Sequence, residues 1–356
     1  MTLVVKIHSP LTKPILSLTL LLSLFFSAGC ENSNRKPEYQ VISGRTMGTS
    51  YQVKLAGNNL PHKTQPIKKE IDLRLERINQ LMSTYFPDSE LNRLNRTDSK
   101  WFPVSKETYF VIGNAQRISR DSGGAFDITV GALVNLWGFG NKIRADQIPD
   151  EKAISTLKNK LGYDKIMLNP DELLIGKKHP EITLDLSAIA KGYAVDSVAA
   201  LLEKRGILDY MVEIGGEIKA RGYKAENHPW VLAIEKPILE SREVQRLVSL
   251  NDQGMATSGD YRNYFEKDGV RYSHSINPNT ARPITHKLAS VSVINPSTMI
   301  ADGWATALMV LGPEKGYEIA LREKLAAYFI YREKDGFVEK YTPDFEKYFI
   351  ETKTRL

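Results

Sequence analysis

Residues 185–193, Asp-Leu-Ser-Ala-Ile-Ala-Lys-Gly-Tyr, gather a carboxylate, a hydroxyl and an ammonium where a strand turns into a helix. Residues 180–186 read as a short strand with an acidic end. Residues 188–205 carry helical spacing that stops at Gly206. Ser187 stands where a helix N-cap belongs. Such a corner aims free backbone N–H groups and the positive end of a helix dipole at whatever lies above it. Asp185 and Lys191 flank it with opposite charges. A phosphate, a metal ion or both together suit the place.

A second group lies in Ala301-Asp302-Gly303-Trp304-Ala305-Thr306. Asp302 and Thr306 stand four apart and share one helix face. Carboxylate plus hydroxyl is part of an oxygen shell that suits Mg²⁺ when phosphate completes it. The alternative is a helix N-cap by Asp302 with Thr306 merely packed. His274, in Tyr-Ser-His-Ser-Ile-Asn-Pro, is either a general base at a strand end or a hydrogen-bonded structural residue. Thr46-Met47-Gly48-Thr49 and Met255-Ala-Thr-Ser-Gly259 read as turns. Tyr85 and Phe126 could stack on a flat ring or belong to the core.

Several chemistries drop out. No Gly-x-Gly-x-x-Gly follows an early strand and no Walker-type Gly-Lys-Ser/Thr loop occurs, so a bound dinucleotide would not sit on a Rossmann fold. Six histidines without ligand spacing argue against zinc. The net charge of +6 is unclustered, which argues against nucleic acid. Residues 1–29 hold Lys6 and Lys13 and no acid, leaving +4 for the remainder.

That N-terminal stretch reads as a secretory signal: two lysines, an apolar run over residues 15–26, then Ser27-Ala28-Gly29-Cys30. The run is short of the ~20 apolar residues that span a bilayer. The small-small-Cys ending resembles the bacterial lipobox, with Ser27 in place of the usual Leu. Cys30 is the one cysteine in the chain. It is expected to be acylated (palmitate included), which excludes disulfides and a cysteine nucleophile from the mature body. Residues 30–40 are a polar tether. Glu31 leaves the choice of membrane open, and the inner membrane is favoured over the outer for a periplasmic anchor.

The elements that must position these groups alternate along residues 41–350. Strand, turn and strand occupy residues 40–55, and an amphipathic helix runs from about Pro66 to Met82 with Ile71, Leu75, Ile78 and Leu81 or Met82 on one stripe. Helices follow at 106–121 and 150–161, and Gly123-Gly124 ends the first of them. Gly215-Gly216 marks a hairpin. Strands fall at 288–294, 326–332 and 337–341, and a helix at 301–311. Hairpins outnumber strand–helix–strand crossovers, so the fold class is α+β, with antiparallel sheets flanked by helices. No linker composition divides 41–350, which reads as one catalytic domain with a tail at 351–356.

In order along the chain come Thr46-Met-Gly-Thr49, Ser83-Thr-Tyr85 with Ser89-Glu-Leu91, Gly123-Gly-Ala-Phe-Asp-Ile-Thr129, Asp185 to Asp196, Gly215-Gly216, Met255 to Tyr261, His274 to Pro278 and Ala301 to Thr306. This series resembles the ApbE family of bacterial FAD:protein FMN transferases, over nearly all of 41–350. The resemblance implies a single T-fold-like domain. It implies Mg²⁺-dependent cleavage of FAD, passage of FMN to a Thr or Ser hydroxyl of an acceptor protein through a phosphoester, and release of AMP. Acceptors would include subunits of the Na⁺-translocating NADH:quinone oxidoreductase and of Rnf complexes. Met47, Tyr85, Ala125, Phe126, Asp127, Asp185, Lys191 and Ile276 would contact FAD. Asp302, Thr306 and the carbonyl of Ala188 would hold Mg²⁺, and His274 would be the catalytic histidine. Some relatives carry a second Asp at the position of Ala305. An FAD pyrophosphatase, and a periplasmic FAD-binding lipoprotein without turnover, are the alternatives. Replacing the acylation site, Cys30→Ser, is expected to move the protein from the membrane to the soluble periplasmic fraction. Persistent membrane association on fractionation would contradict the anchor.

Overall fold

Apolar and polar residues alternate along Thr49–Leu55, and Tyr51, Val53 and Leu55 are buried while their neighbours are not. That period of two is a half-buried strand. The computed structural model describes residues 39–350 apart from 58–59, 61–62, 141–147, 226–227, 239–242, 262 and 335. The signal segment, Cys30 and the tail at 351–356 lie outside the described residues.

Eight strands build the main sheet: β1 (Gln40–Thr46), β2 (Thr49–Leu55), β3 (Tyr210–Ile214), β4 (Glu217–Arg221), β5 (Gln253–Gly259), β6 (Leu288–Asn295), β7 (Ala326–Glu333) and β8 (Gly336–Tyr341). They lie side by side in chain order, each neighbouring pair antiparallel. The insertions between them supply the helices and loops. Met47 and Gly48 join β1 to β2 with φ of 49° and 72°, and Gly215 and Gly216 join β3 to β4 with φ of 61° and 103°. Two successive positive φ values are what a tight hairpin turn requires. The α+β class and the absence of a Rossmann arrangement are as expected.

One face of the sheet carries the helices. They are α1 (Gln65–Met82), α2 (Lys106–Asp121), α3 (Ala190–Lys204), α4 (Thr298–Leu311) and α5 (Pro313–Arg322). The α1 stripe of Ile71, Leu75, Ile78, Leu81 and Met82 is buried in the main core. The other face packs a small sheet (Tyr223–Ala225, His228–Glu235 and Val244–Leu250) and Phe345. Covered on both sides, β6 is buried along nearly its whole length, with Val291 and Val293 in one core and Ile294 in the other. Among the described residues no helix is long and apolar enough to cross a membrane.

Two helices matter most for position. Ser297 caps α4 through Ile300, and Asp196 of α3 accepts from Ser297 Oγ and from the backbone N–H groups of Thr298 and Met299 at 2.7–3.0 Å. A carboxylate here satisfies the orphan donors of the first turn and complements its dipole. The helices meet at Gly192, where an added Cβ would lie 2.4 Å from the Thr298 carbonyl oxygen.

Three expectations need correction. Helix α3 begins at Ala190 rather than Ala188, and Ile189 rather than Ser187 occupies its N-cap position. The Asp185 carboxylate captures the Ser187 N–H at 2.8 Å and holds residues 187–189 in a turn instead. Residues 180–186 pair only through a single bridge, Thr183 with Val130; Leu184 bonds instead to the Asn95 side-chain amide in both directions. Met255–Gly259 is not a turn but part of β5, near the middle of the sheet, with Met255 and Ala256 buried in opposite cores.

Gly192→Ala should destabilise the protein by about 1–3 kcal/mol, because the backbone of α4 offers no room. Gly113→Ala, on α2 with no atom within 4 Å of its Cβ position, should instead gain about 0.5–1 kcal/mol. Urea unfolding midpoints measure both, and equal effects would contradict the close helix crossing.

Candidate active site

A cavity of about 810 Å³ opens at the ends of the main strands. Its wall includes Tyr85, Ala125, Phe126, Asp127, Asp185, Ala188, Lys191, His274, Ile276, Asp302 and Thr306. Segments spread over more than two hundred positions of sequence converge there. Met47 is the exception among the expected contacts. It sits half-buried at the β1–β2 turn, packs against the main core and is not part of the wall.

Each wall segment is fixed by local bonds. Asp127 accepts from the Thr129 N–H and hydroxyl and from the Tyr163 N–H at 2.7–3.0 Å, so its carboxylate buckles the loop that presents Ala125 and Phe126. Burial pushes its pKa up, and those donors only partly offset it. The Asp185 N–H donates to the Ile128 carbonyl at 2.8 Å, which joins this loop to the turn carrying Ala188. Lys177, itself buried, donates to the carbonyls of Asn95 and Pro180 at 3.0 and 2.8 Å and steadies the approach to Asp185. Desolvation lowers its pKa. Tyr85 stands 65% exposed at the rim. Its loop is held by Ser83 Oγ, which accepts from Tyr85 and Phe86, and by Asn92, whose amide donates to the carbonyls of Ser83, Thr84 and Phe86.

Asp302 is buried, and its Oδ2 accepts from the Gly192 N–H at 2.9 Å. Ser297 begins the helix, so Asp302 is not its N-cap but lies in the second turn with Thr306 one turn further on. Ala305 points the other way, into the hydrophobic core. Glu217, at the start of β4, is 3% exposed and its Oε1 lies 2.5 Å from Lys191 Nζ. Its Oε2 is buried without a hydrogen-bond partner among the described residues. Sequence reasoning missed Glu217. Only its place directly after the Gly215-Gly216 turn marks it, because alternation alone would give it the same status as exposed strand charges.

Burial pushes the Glu217 carboxyl up to about 7, with Lys191 opposing and Asp302 reinforcing the shift. Burial likewise raises Asp302 against the pull of Lys191 and the Gly192 N–H. Desolvation works against the Lys191 ammonium, but Glu217 and Asp302 outweigh it and hold its pKa above the ordinary lysine range. Two acids around one ammonium leave an excess of buried negative charge. A hard cation on the Asp302 carboxylate, the Thr306 hydroxyl and the Ala188 carbonyl would compensate it, and this oxygen-only donor set suits Mg²⁺. Among the described residues no three His, Cys, Asp or Glu side chains converge as a metal site of their own.

His274 is oriented from behind. Its Nδ1 lies 3.0 Å from the Asn263 carbonyl, and its backbone N–H donates to the same oxygen. A carbonyl can only accept, so Nδ1 carries the proton and Nε2 is left with the lone pair. Phe139 meets the ring edge-on and stacks on Phe265, which stacks on Tyr272. The loop bearing Asn263 is anchored nearby by Asp260, buried and bound through both oxygens by Arg332 at 2.6–2.8 Å.

The architecture is thus a non-Rossmann α+β fold with carboxylate, ammonium, hydroxyl and imidazole groups over one cavity. The chain belongs to the ApbE family, whose sequence profile matches residues 47–329. It is 45% identical to the FAD:protein FMN transferase of Vibrio cholerae serotype O1 over 333 residues, covering 93% of this chain and 98% of that protein. It is 40% identical to the enzyme of that name from Escherichia coli K12, over 94% of this chain and 97% of that one. The solved flavin transferase ApbE from Vibrio cholerae superposes with a TM-score of 0.82 at 42% identity, over 88% of this chain and all of that one. Pseudomonas stutzeri flavinyl transferase ApbE in its apo form gives 0.81 at 39% identity, over 88% and 97%.

Desolvation lowers the His274 pKa, and Lys191 adds to it, against the Asn263 carbonyl and Asp260. The neutral ring therefore persists on acidification to below the ordinary histidine value of 6.5. An NMR titration of the ring, assigned against His274→Gln, should place its midpoint under 6.5. A midpoint above it would contradict the desolvated, Nδ1-protonated assignment.

Proposed function

We propose that this chain is an FAD:protein FMN transferase that moves FMN from FAD to a Thr or Ser hydroxyl of an acceptor protein and releases AMP. The observation that carries the reading is the convergence of Lys191, Asp302, Thr306 and His274 on one cavity, in a chain 40–45% identical to proteins of that name.

The reaction exchanges the phosphoanhydride of FAD for a phosphoester on the acceptor. The acceptor oxygen bonds to the phosphorus of the FMN half, and the bond from that phosphorus to the bridging oxygen breaks. AMP leaves with that oxygen. The hydroxyl proton passes to Nε2 of His274, whose Nδ1–H is already committed to Asn263. Lys191 offsets charge on the pyrophosphate, and Phe126 and Ile276 line the wall against which the flavin half would lie. Asp302, Thr306 and the Ala188 carbonyl would hold Mg²⁺, which when bound supplies Lewis-acid charge at the pyrophosphate oxygens. Transfer by in-line displacement depends mainly on such positioning and charge compensation.

In this reading Cys30 is acylated and tethers the domain to the periplasmic side of a bacterial membrane, the inner one by preference. Acceptors there are electron-transport subunits of the Na⁺-translocating NADH:quinone oxidoreductase or Rnf type.

Asp302→Asn keeps an acceptor for the Gly192 N–H and should stay folded. It should lower Mg²⁺-dependent AMP release from FAD by about 10²–10³-fold, the scale on which one electrostatic contact to a transition state acts. Chromatography of AMP measures this, and unchanged turnover would remove Asp302 from the metal site.

A further inference from the structure

Glu217 is the one acid in the cavity wall with a buried oxygen that accepts no hydrogen bond among the described residues. An unmade hydrogen bond on a buried carboxylate costs stability, so its retention needs a reason. Its other oxygen is 2.5 Å from Lys191 Nζ. Lys191 projects from the first turn of α3, next to the Gly192 N–H that binds Asp302. The ammonium is therefore gripped from β4, while the Asp302 carboxylate acts on it electrostatically from α4. A long, flexible side chain that faced a polyanion unrestrained would bind it wherever its phosphates happened to sit.

We propose that Glu217 is a positioning residue for Lys191: it fixes the ammonium at the cavity wall and tempers its charge. The diphosphate of a bound dinucleotide is then oriented by Lys191 without being held tightly before reaction. This rests on the FAD-dependent reading above and deepens it. Ground-state affinity that is not matched in the transition state does not raise turnover. Removing the Glu217 charge adds net positive field to the cavity and frees the ammonium. Affinity for FAD should rise while turnover falls. A purely structural role would lower both together.

The test is a double-mutant cycle on FAD binding, read by flavin fluorescence in Mg²⁺-free buffer with chelator, for wild type, E217Q, K191M and K191M/E217Q. E217Q should bind FAD about three- to tenfold more tightly, with one FAD per chain, and its Mg²⁺-dependent AMP release should fall about tenfold. In the K191M background, replacing Glu217 should change the Kd by less than about twofold, since its partner is gone. Weaker binding by E217Q, or an equal change with and without Lys191, would overturn the inference. If E217Q does not fold, the K191M pair still decides: a shift above about twofold there overturns it. Failure of the wild type to bind FAD at all would instead sink the proposed function, and this inference with it.

Discussion

The N–H of Gly192 donates to the carboxylate of Asp302, a hydrogen bond inside the contact between the two helices on which the site is built. It forms because α3 and α4 approach more closely than any side chain at position 192 would permit. The same crossing lets Asp196, one turn along α3 from Gly192, reach the start of α4. Both contacts use carboxylates to satisfy backbone donors, one at a helix start and one inside the interface. Loosening either would move Lys191 and the Ala188 turn relative to Asp302 and Thr306.

That geometry concentrates charge where water is scarce. Asp302 and Glu217 are both buried, and the Lys191 ammonium is the charge that opposes them among the described residues. In a structural core such an imbalance would be costly, because each uncompensated charge loses its hydration. Over a cavity large enough for a dinucleotide it is a means of selection. In the proposed reaction a divalent cation held by Asp302, Thr306 and the Ala188 carbonyl would offset the acids, and Lys191 would face the anionic diphosphate. His274 stands apart from this ion cluster and is tuned by desolvation, by the carbonyl behind it and by the Lys191 charge.

The sequence made parts of this legible for identifiable reasons. Hairpin glycines, the α1 stripe and the end of α2 at Gly123-Gly124 depend on near neighbours, and all fall where spacing puts them. The Asp302–Thr306 pair was readable because four-residue spacing fixes a shared face once a helix exists. What escaped depends on distant partners. The start of α3 shifted because the Asp185 carboxylate accepts the N–H of Ser187, in a segment where residues 187–189 form a turn. The hydroxyl-rich Met255–Gly259 run looks like a turn until strands on both sides claim its backbone. Glu217 is indistinguishable from surface charge until β4 is placed against α3. Met47 was carried to the site by resemblance; it stands at the β1–β2 turn, half-buried and packed against the main core.

The most direct measurement is intact-protein mass spectrometry of a purified acceptor subunit incubated with this protein, FAD and Mg²⁺, with AMP followed in the same reaction. The account predicts acceptor chains heavier by one FMN, attached at a Thr or Ser, in equal amount to the AMP released. Free FMN and AMP with an unmodified acceptor would contradict transfer and leave a pyrophosphatase in its place.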